Sequence, residues 1–193
     1  MQQQRKNTLI IFDYSNTIAG SGGVYSGILE QVKELKAKGY QVGIASLAPF
    51  NEMKDELSMI NAGTNQNMFQ LFNLVIGSEA LKAFNNGKAD KTSVETGREI
   101  LAAADASRRQ TIVIGDAFTE FLLAKNNGFH YLHAGWADRD KSGLQMVVFE
   151  GSDVPITQDD VDNAQSIPTV DQISLRVEAV LHPTKSDGFT PER

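Results

Sequence analysis

The stretch Thr8–Thr17, T-L-I-I-F-D-Y-S-N-T, decides the fold. Leu9 to Phe12 is apolar without alternation, and the run stops abruptly at Asp13. A short segment that is apolar on both faces suits a strand buried inside a parallel sheet. A carboxylate at the C-terminal end of such a strand stands where open α/β sheets bind their ligands. Taken alone, Asp13 reads equally well as a cap on the turn after the strand. Gly20, Gly22 and Gly23 follow, so Ile18 to Ser26 reads as a loop or small flap.

Working outward, the same pattern returns. Gln41–Ala45 is a second apolar strand ending on the hydroxyl of Ser46, and Leu74–Ile76 is a third. Thr111–Ile114 is a fourth, running into Gly115-Asp116 with Glu120 four residues on, and Phe129–His133 is a fifth. Between these lie segments with helical spacing. Gly27 to Lys38 carries Ile28, Leu29, Val32 and Leu35, with Gly39 as its stop. Asn51 is placed to cap a helix reaching about Asn61. Thr92–Ala104 and Phe118–Asn127 are further helices, the last ended by Gly128. Alternating strands and helices predict a three-layer, doubly wound, mainly parallel α/β sheet.

The C-terminal part is less regular. Met146–Phe149 is a candidate strand, Ser152 to Ser166 reads as acidic and irregular, and Ile173–Leu181 reads as a helix packing back on the sheet. Gly77 to Lys91 reads as a connector. Residues 1–193 suit a single domain, with 1–7 and 184–193 expected as mobile tails.

Composition excludes several classes of function. The chain has 193 residues, 41% apolar, and no cysteine, so a disulfide framework, a thiolate metal site and a Cys nucleophile are all excluded. A net charge of −6 argues against general nucleic-acid binding. No apolar run approaches the roughly 20 residues that cross a bilayer, and the N-terminus lacks the apolar stretch of a signal peptide. A cytoplasmic location is the expectation.

Asp13, Ser46, the Lys88 of G-K-A-D-K, and the pair Asp116 and Glu120 follow one another in chain order, each at or near an element end. That arrangement resembles the haloacid dehalogenase-like hydrolases, which are mostly aspartate-nucleophile phosphatases. The resemblance runs from Leu9 to about Trp136. It implies that Asp13 is a nucleophile forming an aspartyl-phosphate. It also implies that Asp13, the backbone carbonyl of Ser15, Asp116 and Glu120 hold Mg²⁺. Ser46 would hydrogen-bond the phosphoryl group. Lys88 would neutralise its charge, since Lys88-Ala89-Asp90 matches the family's Lys-Pro-Asp with Ala for Pro. Lys91 is the competing lysine. Glu120 stands where the family has a second Asp. Separate cap domains have no room here in either of their usual places. Open sites of this kind suit a phosphorylated small molecule or macromolecule, or are covered by a second subunit in a homo-oligomer.

Ser15 departs from the family pattern. Most phosphatases of the family have D-x-D, whose second Asp acts as acid and base, whereas Asp13-Tyr14-Ser15 ends in a hydroxyl that does not titrate near neutral pH. Losing a positioned acid/base typically costs about 10²–10⁴-fold. P-type ATPases of the superfamily have Thr there, in D-K-T-G-T. The dehalogenases have Tyr and lack the acidic pair. Two functional readings follow. One is a Mg²⁺-dependent phosphatase or slower phosphotransferase. The other is a weakly catalytic or non-catalytic protein that binds a phosphorylated ligand or a protein partner. Rival folds fit less well: Tyr25 stands where a dinucleotide fingerprint needs its third glycine, and Ile76-Gly77 stands where a phospho-receiver needs its Asp.

Overall fold

The computed structural model describes residues 7–137 and 157–183. Six strands form one parallel sheet: β1 (Leu9–Phe12), β4 (Gln41–Ala45), β7 (Leu74–Ile76), β8 (Thr111–Gly115), β9 (His130–Ala134) and β10 (Gln165–Ile167), in the order β10-β9-β8-β1-β4-β7. Strand β1 pairs in register with β4 and β8, Phe12 lying opposite Ile44 on one side and Ile114 on the other. Two small hairpins stand outside the sheet, β2–β3 (Ala19–Gly20, Gly23–Val24) and β5–β6 (Asn61–Gly63, Gln66–Asn67). The first is the glycine-rich flap.

The alternation of β1 divides the core. Ile10 and Phe12 face a cluster built with helices α1 (Ile28–Ala37), α2 (Phe50–Ser58) and α7 (Ile173–Leu181), through Val32, Leu35, Met53, Leu57, Ile173 and Val177. Leu9 and Ile11 face the other layer, made by α3 (Ser78–Phe84), α4 (Val94–Ala104) and α5 (Phe118–Asn127), through Leu81, Ile100 and Leu123. Apolar side chains on both faces of β1 therefore require helices on both sides, which is the three-layer arrangement. The helix ends follow local chemistry. Ser93 caps α4 by accepting from the Thr96 N–H at 3.0 Å, and Gly128 ends α5 at φ 68°, a left-handed conformation that costs glycine little.

Several boundaries and elements differ from the sequence reading. Pro49, not Asn51, occupies the N-cap position of α2. Gly77 to Lys91 is more than a connector, since it holds the short helix α3 with the single buried anchor Leu81. The segment read as irregular carries α6 (Gln158–Asp162) and β10, which pairs parallel to β9. The candidate strand Met146–Phe149, residues 1–6 and residues 184–193 lie outside the described residues. Among those described, neither usual cap position holds an inserted domain: the flap leads directly into α1, and β7 leads through α3 into α4. No helix of the described residues is long and apolar enough to cross a membrane.

Candidate active site

The sheet brings the strand ends together. The Asp13 N–H donates to the Ile114 carbonyl and the Ser46 N–H to the Ile76 carbonyl, both at 2.9 Å, so each residue continues its strand by one ladder bond. Asp13, Ser46 and Asp116 therefore leave the same edge on adjacent or nearby strands. Glu120 comes from the first turn of α5, directly after β8. These residues line one pocket of about 180 Å³, with Ser15, Asn16, Leu47 and Lys91 among its other walls. Asp13, Ser46, Asp116 and Glu120 are all buried, while Ser15 and Leu47 are exposed at the rim.

The lysine in this pocket is Lys91. Its Nζ donates to Asp13 Oδ1 at 2.6 Å and also pairs with Glu120, and its side chain is 3% exposed. Lys88, the lysine preferred from the motif match, is exposed and outside the lining. The loop path explains the difference. Asn85 Nδ2 donates to the Asp90 carbonyl at 2.8 Å and to Thr96 Oγ1 at 2.9 Å. Asp90 Oδ1 accepts from both the N–H and the hydroxyl of Thr92, at 2.8 Å each. Asn126 of α5 holds the Thr92 carbonyl at 2.9 Å. The turn around Asp90 is thereby fixed against α4 and α5, and Lys91 is the residue it turns inward.

The acidic residues are held just as firmly. Glu120 Oε2 accepts from the Ala117 N–H at 3.0 Å, the reach-back half of a helix capping box, and Oε1 accepts from the Thr119 hydroxyl at 2.6 Å. Its side chain lies over Gly115, where a Cβ would stand 2.2 Å from Glu120 Cγ. Asp116 Oδ1 accepts from Thr17 Oγ1 at 3.5 Å. Thr17, unassigned from sequence, is fully buried and accepts from the Trp136 indole through its carbonyl at 3.0 Å. Ser46 Oγ accepts from the Ala48 N–H at 3.2 Å, so it shapes its turn while facing the pocket. Tyr14 points away into the core and donates to Glu56.

Burial pushes the Asp13 carboxyl up to about 7 from its ordinary 3.8, against the pull of Lys91 and with help from the charges of Glu120 and Asp116. Burial pulls Lys91 down, but the charges of Glu120 and Asp13 outweigh it and hold the ammonium above its ordinary range.

Asp13, Asp116 and Glu120 each offer a carboxylate oxygen, and the three oxygens lie within 4.8 Å of one another. An all-oxygen donor set with one lysine to offset three carboxylates fits a hard divalent cation such as Mg²⁺. A larger hollow of about 400 Å³ beside His130, Asp159 and Pro183 lies by the start of β9, away from these strand ends.

Comparison with known proteins agrees with this geometry. No curated protein matches the sequence. Among solved structures, the chain is similar to a candidate β-phosphoglucomutase from Thermotoga maritima, with 13% identity, 90% of this chain and 100% of that one covered, and a TM-score of 0.65. It is also similar to a candidate phosphoglycolate phosphatase from Lactobacillus delbrueckii, with 19% identity and a TM-score of 0.58. A candidate phosphatase from Clostridium acetobutylicum gives 17% identity and a TM-score of 0.56. The chain is covered to 83% and 80% in the last two matches but spans only 54% and 59% of those proteins. At such identities the likeness establishes the fold. The family model for haloacid dehalogenase-like hydrolases matches residues 3–134, more than half of the sequence. By its fold, its strand-end carboxylates and this match, the chain belongs to the haloacid dehalogenase-like hydrolase family.

Proposed function

We propose that the chain is a Mg²⁺-dependent phosphatase, or a slower phosphotransferase, that works through an aspartyl-phosphate on Asp13. The observation that carries this reading is the contact of Lys91 Nζ, 2.6 Å from the buried Asp13 Oδ1, beside two further carboxylates. A buried carboxylate held by an ammonium group is poised for in-line attack on phosphorus, and forming a covalent intermediate divides one hard step into two. Asp13, Asp116 and Glu120, with the backbone carbonyl of Ser15, would hold Mg²⁺, which supplies positive charge to the phosphoryl oxygens.

The chain's own residues do the rest. Lys91 keeps Asp13 oriented and offsets the charge that gathers on the transferring group. Ser46 offers its hydroxyl proton to a phosphoryl oxygen, its lone pair being engaged by the Ala48 N–H. The narrow pocket limits the water around the nucleophile, while its exposed rim admits a phosphorylated small molecule or a phosphorylated side chain of a macromolecule. Ser15 is the observation that favours the second reading, a weakly catalytic or non-catalytic binding protein. Hydrolysis of nitrophenyl phosphate separates the two. Wild type with Mg²⁺ should release phosphate, and chelation should stop it. Asp13→Asn should lose about 10³-fold or more. Equal rates in wild type and Asp13→Asn would support the binding protein instead.

A further inference from the structure

The turn that follows Asp13 is tied down from across the sheet. It is wound on the Tyr14 carbonyl, which accepts from the N–H groups of Thr17, Ile18 and Ala19 at 3.3, 2.9 and 2.9 Å. Inside it Asn16 takes a left-handed φ of 60°, a conformation that persists where the surroundings hold it. Trp136 holds it from the end of β9, its indole N–H donating to the Thr17 carbonyl at 3.0 Å. In the strand order β9-β8-β1 this contact passes over the end of β8, the strand that leads into Asp116. On the same residue, the Thr17 hydroxyl faces Asp116 Oδ1 at 3.5 Å. Thr17 is fully buried, and Trp136 is half-buried against the core cluster of Ile10 and Phe12. The tryptophan is aimed by a turn of its own. The Gly135 N–H donates to the Ile167 carbonyl of β10 at 2.8 Å, and the Ala137 N–H to the Ala134 carbonyl at 3.2 Å. A Cβ on Gly135 would stand 2.8 Å from the Ile167 oxygen, so this turn rests directly on β10.

Building on the metal site of the phosphatase reading, we propose that Trp136 is a positioning residue: its indole N–H fixes Thr17, and through Thr17 it holds the Asp116 carboxylate and the turn behind Asp13 in the arrangement that takes up the cation. The indole nitrogen only donates, so a carbonyl is a matched partner for it. Removing the N–H leaves the Thr17 carbonyl buried without that donor, and a buried acceptor left unmet costs more than the bond itself contributes. The turn then relaxes, and the Thr17 hydroxyl shifts away from Asp116. Groups that orient the ligands of a metal typically account for about 10–100-fold in its affinity. The role is separable from apolar packing, because it lies in one nitrogen atom of the ring. It also gives β10 a part in the site, since Gly135 and the aim of Trp136 depend on Ile167.

Calorimetric titration of the full chain with Mg²⁺ tests the proposal. Trp136→Phe keeps an aromatic ring and removes the indole N–H, and Thr17→Val keeps the shape and removes the hydroxyl. Each should weaken Mg²⁺ binding by about 10-fold. Because the two act in series on Asp116, the double variant should stay within about 3-fold of the weaker single, where independent effects would multiply to about 100-fold. Tyr40→Phe is the control, since it removes a 2.8 Å hydrogen bond to Glu178 at the far end of β4. It should lower thermal stability and leave Mg²⁺ binding within about 2-fold. Trp136 is the chain's single tryptophan, so wild-type emission should change saturably as Mg²⁺ binds, with the calorimetric midpoint. Trp136→Phe binding Mg²⁺ within about 2-fold of wild type, or a multiplicative double variant, would overturn the proposal and leave the phosphatase reading standing. No Mg²⁺ uptake by wild type would overturn both. If Trp136→Phe fails to fold by circular dichroism, the wild-type emission decides, and a signal unmoved by saturating Mg²⁺ overturns the proposal.

Discussion

Lys91 Nζ lies 2.6 Å from Asp13 Oδ1, joining the loop before α4 to the end of the central strand β1. It pairs with Glu120 as well, so one ammonium group holds two carboxylates from separate elements. Replacing it with methionine keeps the alkyl stem and removes the charge. Lys91→Met should lower phosphate release by about 10²–10³-fold, the usual scale for losing one preorganised charge-stabilising group. Lys88→Met should remain within about 2-fold, because its exposed side chain meets none of these groups. Steady-state assays of both variants on one aryl phosphate distinguish the two lysines.

The pH dependence of stability should carry the mark of Asp13. Its carboxyl is raised to about 7 in the folded protein against an ordinary 3.8, so between those values the folded state holds a proton that the unfolded chain has released. Stability from this group is therefore fully present below about pH 4 and declines as pH rises to about 7. Asp13→Asn cannot titrate and should flatten that part of the profile. Urea melts of metal-free protein from pH 4 to pH 8 provide the comparison. An unchanged slope in the variant would refute the assignment.

Gly115 should be intolerant of a methyl group. An added Cβ would stand 2.2 Å from Glu120 Cγ and 2.7 Å from its Cβ, so the Glu120 side chain must leave its place. Gly115→Ala should weaken Mg²⁺ binding by about 10-fold or more, as displaced ligands and their supports commonly do. Calorimetric titration with Mg²⁺ reads this directly. Circular dichroism should show the sheet intact in the variant.

Gly97 marks a second close approach, between α4 and α5. A Cβ there would meet the Asn127 side chain at 1.9 Å, and Asn127 itself donates to the Ser93 and Leu123 carbonyls. Alanine in a helix interior gains about 1 kcal/mol over glycine. The overlap costs about 1–3 kcal/mol, and disturbing the buried amide adds to it. Gly97→Ala should therefore lower the melting temperature, and a rise would mean that the helices separate without penalty.

Much of this was legible in the chain. The strands β1, β4, β7, β8 and β9 could be read because each centres on a short, mostly apolar run between turn signals, and Asp13, Ser46 and Asp116 because each stands at or just past the end of such a run. Glu120 followed from its spacing. The choice of lysine was not legible, because it depends on how Asn85, Asp90 and Thr92 fold their own loop. Strand β10 escaped notice because Gln165-Ser166-Ile167 buries only Ile167 fully and owes its pairing to β9. Helix α3 is short and fully buries Leu81 alone, too little for a periodic signal. Thr17 and Trp136 carry no motif, and their contact appears only when β1 and β9 lie in one sheet.

The position of β1 has a consequence for motion. Three strands flank it on one side and two on the other, so both of its edges are hydrogen-bonded throughout. Amide protons of Ile10 to Phe12 can exchange with solvent only when the sheet opens as a whole, whereas those of the border strands β7 and β10 need only local fraying. Asp13 should thus be carried by backbone that exchanges among the slowest of the described residues. Lys91 reaches it from a loop held mainly by side-chain amides and hydroxyls. Thermal opening should part these two residues by releasing the loop long before it disturbs the strand.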